Sequence, residues 1–155
     1  MIYLLHLMMI LTMSGAQTDK PLLLLNGIAH LGNGKIISNA AIAIDHRQIT
    51  MVADATRIRM DLSGYEIKKV YGKHIYAAAL PDSSDYKSVS EKQKSYLKIG
   101  TQTLVIDQRK DALKEGQPAI LIVTQEALDK TESPCIHLAL LAGKEIPLAE
   151  NCEHK

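Results

Sequence analysis

The sequence predicts a mostly β, sandwich-like single domain with one or two short helices. Two observations carry the strand prediction. Short apolar runs recur from Leu22 onward, and turn residues such as Asn26-Gly27, Gly32-Asn33-Gly34 and Gly143-Lys144 separate them. Within AAIAID the side chains alternate, with Ala41, Ala43 and Asp45 on one face and Ile42 and Ile44 on the other. A third observation sets the size and material of the core. The chain has 155 residues, with no Phe and no Trp. One domain of that length buries a real interior, and Leu, Ile, Val, Ala, Met and Tyr must fill it.

The elements follow in order. IYLLHLMMILTM is apolar but short for a bilayer span. Small residues stand at Ser14 and Ala16, and polar QTDK comes next. Residues 1–16 therefore read as a secretory signal peptide, although their start lacks Lys or Arg. Residues 17–155 would be the mature, secreted or periplasmic domain. From Pro21 the chain reads as strand and turn. LLLLN closes at the Asn26-Gly27 turn, DHRQ is a tight connection, and ITMVA is the hairpin partner of AAIAID. DATRIRMDLSGY is an irregular excursion with a helical turn. EIKKVYG and KHIYAAAL are two strands separated at Gly72.

Past Pro81 the composition changes. PDSSDYKSVS is polar and turn-rich. Ser90 can cap a helix through EKQKSYLKIG, with Tyr96, Leu97 and Ile99 as its apolar face and Gly100 as its stop. TQTLVID reads as a strand and QRKDALKEGQ as a charged turn. PAILIVTQ is a buried strand, with Pro118 at its first position, where proline is tolerated. EALDKTES is a helical turn or loop, and CIHLALLAGKEIPL is a hairpin.

Charge and composition exclude some functions. The formal charge is +1 with both signs interspersed, so neither a nucleic-acid surface nor a polybasic membrane patch is indicated. Without Phe or Trp, stacking platforms for single-stranded nucleic acid are not expected. No segment after the first residues could cross a membrane.

Two stretches, LLLLNGIAHLGNGKIISNAAIAIDHRQITMVA and DLSGYEIKKVYGKHIYAAAL, resemble the opening of the amidohydrolase superfamily. These are metal-dependent hydrolases of the imidazolonepropionase and dihydroorotase type. The resemblance implies a composite β-sandwich of the kind that stands beside a catalytic (β/α)8 barrel. In that family the strand matching GKHIY leads into the barrel and to a His-x-His metal pair. Here Ala77 and Ala78 replace the Pro-Gly, and Ser83 and Asp85 fall where the histidines belong. YLKIGTQTLVID resembles the first barrel helix and second barrel strand. LKEGQPAILIVTQ resembles the segment that returns to the sandwich, with Ile120 in place of an Asp. IHLALLAGKEI resembles the last sandwich hairpin. A barrel needs about 200 residues, and only about forty lie between the sandwich segments.

The resemblance therefore implies a non-catalytic, secreted offshoot acting in binding or assembly. The alternative is a hydrolase of C–N bonds whose barrel comes from another chain. No cofactor is expected. The partner would be a small ligand or a protein, and a homo-oligomer could form through sheet edges.

Other constellations are weaker. Cys135-Ile-His137 and Cys152-Glu-His154 are metal-type ligand pairs, but their spacing matches no finger pattern. With Asp85 they are the weak metal candidates. A disulfide between Cys135 and Cys152 suits a secreted chain better. Asp82, Ser83, Ser84, Asp85 and His74 could be pictured as a nucleophile set, but no G-x-S-x-G elbow surrounds the serines. Such clusters are common turn chemistry. His74 reads as a partly exposed sheet residue.

Overall fold

The structure is a computed structural model and describes residues 20–82, 96–131 and 133–148. Residues 1–16, read from the sequence as a signal peptide, and Ser83, Ser84, Asp85, Cys152 and His154 lie outside the described residues. The fold is mostly β, as expected. Ten strands follow one another: β1 (Leu22–Gly32), β2 (Lys35–Asp45), β3 (Gln48–Asp54), β4 (Glu66–Lys69), β5 (His74–Ala79), β6 (Tyr96–Ile99), β7 (Gln102–Ile106), β8 (Leu121–Thr124), β9 (Ile136–Leu141) and β10 (Lys144–Glu145). The main path runs β10-β9-β8-β5-β1-β2-β3. Most pairs are antiparallel, but β1 runs parallel to both β4 and β5. The first half of β1 pairs β4, and its second half pairs β5. The end of β5 in turn pairs β7, through Ala78 opposite Ile106 and Ala79 opposite Val105.

Three hairpins close by the same device. Asn33-Gly34, His46-Arg47 and Ala142-Gly143 each place two successive residues at positive φ. Two such residues give the turn whose twist matches the flanking strands. The last hairpin thus turns at Ala142-Gly143, one residue before the expected Gly143-Lys144.

Asn26-Gly27 behaves differently from the turn expected of it. Asn26 alone stands in the left-handed region, at φ 65°, and β1 continues straight past it. One left-handed residue within a continuing ladder makes a bulge, whereas the three hairpin turns here each use two. Leu25 faces Ala41, Gly27 faces Ala40 and Ala29 faces Ile37. The first step leaves an extra residue on β1, and the second leaves one on β2. Asn26 Nδ2 donates to Asn39 Oδ1 at 2.8 Å, tying the two irregularities together. Each bulge switches the parity of its strand. Leu22 and Leu24 face the inner core before the bulge, and Ala29 and Leu31 face it afterwards.

The inner core joins those residues to Ala40, Ile42 and Ile44 of β2, Ile75 and Ala77 of β5, Leu121 and Val123 of β8, and Leu138 and Leu140 of β9. The alternate residues Tyr76, Ala78, Ile122 and Ala139 meet a second cluster with Ile99, Leu104 and Ile106. So β5, β8 and β9 are buried on both faces, which is why they read as continuous apolar runs. A third cluster sits on Leu23, Ala41 and Ala43, and the irregular segment at Ala55, Ile58, Met60 and Tyr65 covers it.

The helix expected to end at Gly100 is corrected. In its described part, Tyr96–Ile99 is strand β6, and no helix occurs among the described residues. Leu97 and Ile99 point into the second cluster, while Tyr96 and Lys98 are exposed. That is period two. Three apolar residues in four positions fit a short strand as well as a helix face, and pairing with β7 decides it. The same finding replaces the barrel-type helix implied for YLKIG with a β hairpin.

Candidate functional site

His30, His74 and Tyr76 converge on one face of the sheet. The parallel pairing places Ile28 beside His74 and His30 beside Tyr76. His74 and Tyr76 are two apart on β5 and so share a face. His30 reaches that face only because of the bulge. Without the parity switch it would point with Leu22 and Leu24 into the inner core.

The two imidazoles touch through His30 Nε2 and His74 Nδ1, 2.9 Å apart. His30 also stacks on the Tyr76 ring, with centroids 4.2 Å apart and planes 16° from parallel. The Tyr76 hydroxyl accepts a hydrogen bond from the Leu128 backbone N–H at 3.1 Å. That bond anchors the β8–β9 loop and brings Asp129 beside the rings. A cleft of about 330 Å³ opens there, bounded by His30, Tyr76, Asp129, Lys35 and Asp107, with the Asn33-Gly34 turn at its edge.

The electrostatics follow from this packing. Burial lowers the pKa of His30 below its ordinary value, the neighbouring His74 lowers it further, and Asp129 pulls it back up. Burial also lowers His74, assisted by Lys130 and opposed by Asp129. Burial raises the Tyr76 hydroxyl, while the Leu128 N–H acts in the opposite sense. At neutral pH both rings and the phenol are therefore neutral, and of the three His30 and Tyr76 line the cleft.

Asp107 is buried and holds the cleft's far wall. Its carboxylate accepts from Arg109 Nε at 2.9 Å, Arg109 Nη2 at 2.7 Å and the Arg109 backbone N–H at 3.1 Å. This is a bidentate, charge-assisted pair. The segment runs close against the β1–β2 turn, where Asn33 N–H donates to Gln108 O at 3.3 Å.

The residues singled out from sequence are dispersed. Cys135 is disulfide-bonded. The chain contains two cysteines, and the second, Cys152, lies outside the described residues. His137 is exposed on β9, and its pKa is lowered first by burial and then by Lys73 and Lys68. Among the described residues no three His, Cys, Asp or Glu side chains are grouped as a metal site would need. His74 is half-buried, near what was expected of it. It lies at the opposite end of β5 from Asp82, so these two described members of the imagined nucleophile set are apart. His30 was missed. Its only trace in the sequence is a histidine inside an apolar strand, and its partner is 44 positions away.

Among the described residues no helix is long and apolar enough to cross a membrane. No family model, curated protein or solved structure matches the chain.

Proposed function

We propose that this chain is a secreted, non-catalytic binding domain built like the composite sandwich of amidohydrolases, and that it takes a small polar ligand in the cleft at His30, Tyr76 and Asp129. One observation carries the non-catalytic part. In the family it resembles, the strand equivalent to β5 leaves the sandwich and enters the barrel. Here the end of β5 stays in the sheet, hydrogen-bonded to β7. The described chain from Tyr96 onward then returns to β8 through one hairpin and a loop. About forty residues span the gap, against about 200 for a barrel. The cleft is small, but it offers neutral donors and acceptors, the Asp129 carboxylate, the Asp107 carboxylate paired with Arg109, and the Lys35 ammonium group, a mixture suited to orienting a polar molecule. The apolar N-terminal run and the disulfide at Cys135 support an oxidising compartment.

The test is a hydrolysis assay. The purified full chain is given a panel of cyclic amides, with Zn2+, Ni2+ or Mn2+ added and then removed by chelator. No turnover above the buffer rate is expected. Saturable hydrolysis that chelation abolishes would overturn the proposal and favour a barrel supplied by another chain.

A further inference from the structure

We propose that the cleft at His30, Tyr76 and Asp129 takes a small zwitterion, a molecule with one primary ammonium and one carboxylate on an aliphatic body, as free amino acids and short peptides have. The inference rests on the reading of this cleft as the ligand site and adds the chemical class of the ligand.

Two opposite charges line the cleft without pairing. Lys35 follows the Asn33-Gly34 turn, and Asp129 lies in the β8–β9 loop. Among the described residues neither makes an ion pair. Backbone bonds beside each of them fix where they stand. Asn33 N–H donates to Gln108 O at 3.3 Å, two positions before Lys35. Leu128 N–H donates to the Tyr76 hydroxyl at 3.1 Å, one position before Asp129. Lys130 N–H donates to Ala127 O at 3.0 Å, closing the turn that carries Asp129.

The other groups add no net charge. The Asp107 carboxylate is paired with Arg109. Burial and His74 keep His30 neutral at pH 7, and the Tyr76 phenol is neutral as well. The cleft is therefore close to neutral in sum, with its two poles apart. A simple anion would gain Lys35 but meet the Asp129 carboxylate, and a simple cation would face the reverse. A zwitterion places its carboxylate at Lys35 and its ammonium at Asp129, and both contacts are charge-assisted.

The uncharged lining suits the rest of such a molecule. Ile36 is 53% exposed, unusual for a large apolar side chain, and it lines the cleft with Leu128. These two give an aliphatic body a surface to cover. The Tyr76 hydroxyl accepts from Leu128 N–H, so its own proton is left to donate to a carboxylate. A volume of about 330 Å³ stands at the low end for ligand pockets and fits a molecule of few heavy atoms. Lys35 and Asp129 are exposed, so each contact contributes modestly, and a Kd of about 1 mM is expected.

The experiment titrates the full chain with L-valine, with the dipeptide alanylalanine, and with valine stripped of one or both charges: N-acetylvaline, valinamide and N-acetylvalinamide. Amide NMR spectra follow Lys35, Ile36, Leu128 and Asp129. Saturable shifts at these residues are expected with valine or alanylalanine, and the blocked forms should bind at least about fivefold more weakly than valine. Lys35→Gln and Asp129→Asn should each weaken valine by a similar factor. Both side chains are exposed, so neither change threatens the fold. N-acetylvaline has no ammonium and should bind Asp129→Asn no more weakly than the unaltered chain. A blocked form that binds as tightly as valine overturns the zwitterion assignment while leaving the cleft a ligand site. The absence of saturable shifts with both valine and alanylalanine up to about 10 mM, ten times the expected Kd, overturns it too. Failure of the non-catalytic reading shows separately, as product in the hydrolysis assay, and is not read from these shifts.

Discussion

Replacing Gly32 by Ala tests how the cleft wall is held. Gly32 ends β1 at φ +91°, where L side chains are strained. A Cβ there would lie 1.9 Å from the Arg109 carbonyl oxygen. Real contacts of this kind do not fall below 3.0 Å, so the two backbones must separate by about 1 Å. Neither partner is a flexible side-chain tip. The left-handed conformation costs about 1–2 kcal/mol, and forcing packed groups apart costs a further ~1–3 kcal/mol. The sum is about 2–5 kcal/mol. Gly34 supplies the control two residues away. It also has positive φ, +75°, but nothing lies within 4 Å of its Cβ position. Gly34→Ala should therefore cost only the conformational part, about 1–2 kcal/mol. Urea unfolding of both variants measures the difference, which is the packing contribution alone. Thermal melts should show the same order, at roughly 2–4 °C per kcal/mol for a chain of this size. If Gly34→Ala costs as much as Gly32→Ala, the close approach of Arg109 is refuted.

Two further outcomes follow from the same site. Tyr76→Phe removes the acceptor for the Leu128 N–H. It should cost about 1–2 kcal/mol and speed amide exchange at Leu128, whereas unchanged exchange there would mean that the loop is held by other contacts. Acidification should destabilise the fold, because His30, His74 and His137 all have folded pKa values below 6.5. The unfolded chain then takes up protons first, so stability is complete above about pH 6.5 and is lost as pH falls toward the folded values. The carboxyls of Asp54 and Asp61 titrate lower, below 3.8, and leave that window clear. Urea midpoints at pH 7.5 and 5.5 check it, and an equal or higher midpoint at 5.5 contradicts it.

The strand content was legible because both signals for it are local. AAIAID alternates in the sequence and alternates between two clusters in the fold, Ile42 and Ile44 in one, Ala41 and Ala43 in the other. PAILIVTQ reads as buried, and its Leu121–Thr124 core is buried throughout. The failures occur where a local pattern has two solutions. Asn26-Gly27 supports either a turn or a bulge, and the continuous pairing of β1 with β2 decides between them. Tyr96, Leu97 and Ile99 support either a helix face or a strand, and β7 decides.

The candidate site was much less legible. His74 could be placed on a strand from GKHIY alone, but its contact with His30 depends on three non-local facts: the parallel pairing of β1 with β5, its register, and the bulge that turns His30 outward. None of these leaves a periodic trace in either segment.

The sequence alone determined the mostly β class and the material of the core. Composition and period-two alternation act within a few residues, and they hold whatever the rest of the chain does. Only the tertiary structure decided that two histidines 44 positions apart share one hydrogen-bonding distance. Strand order and register arise from the summed burial of the whole sheet, and one extra residue at Asn26 reverses which face each later side chain occupies.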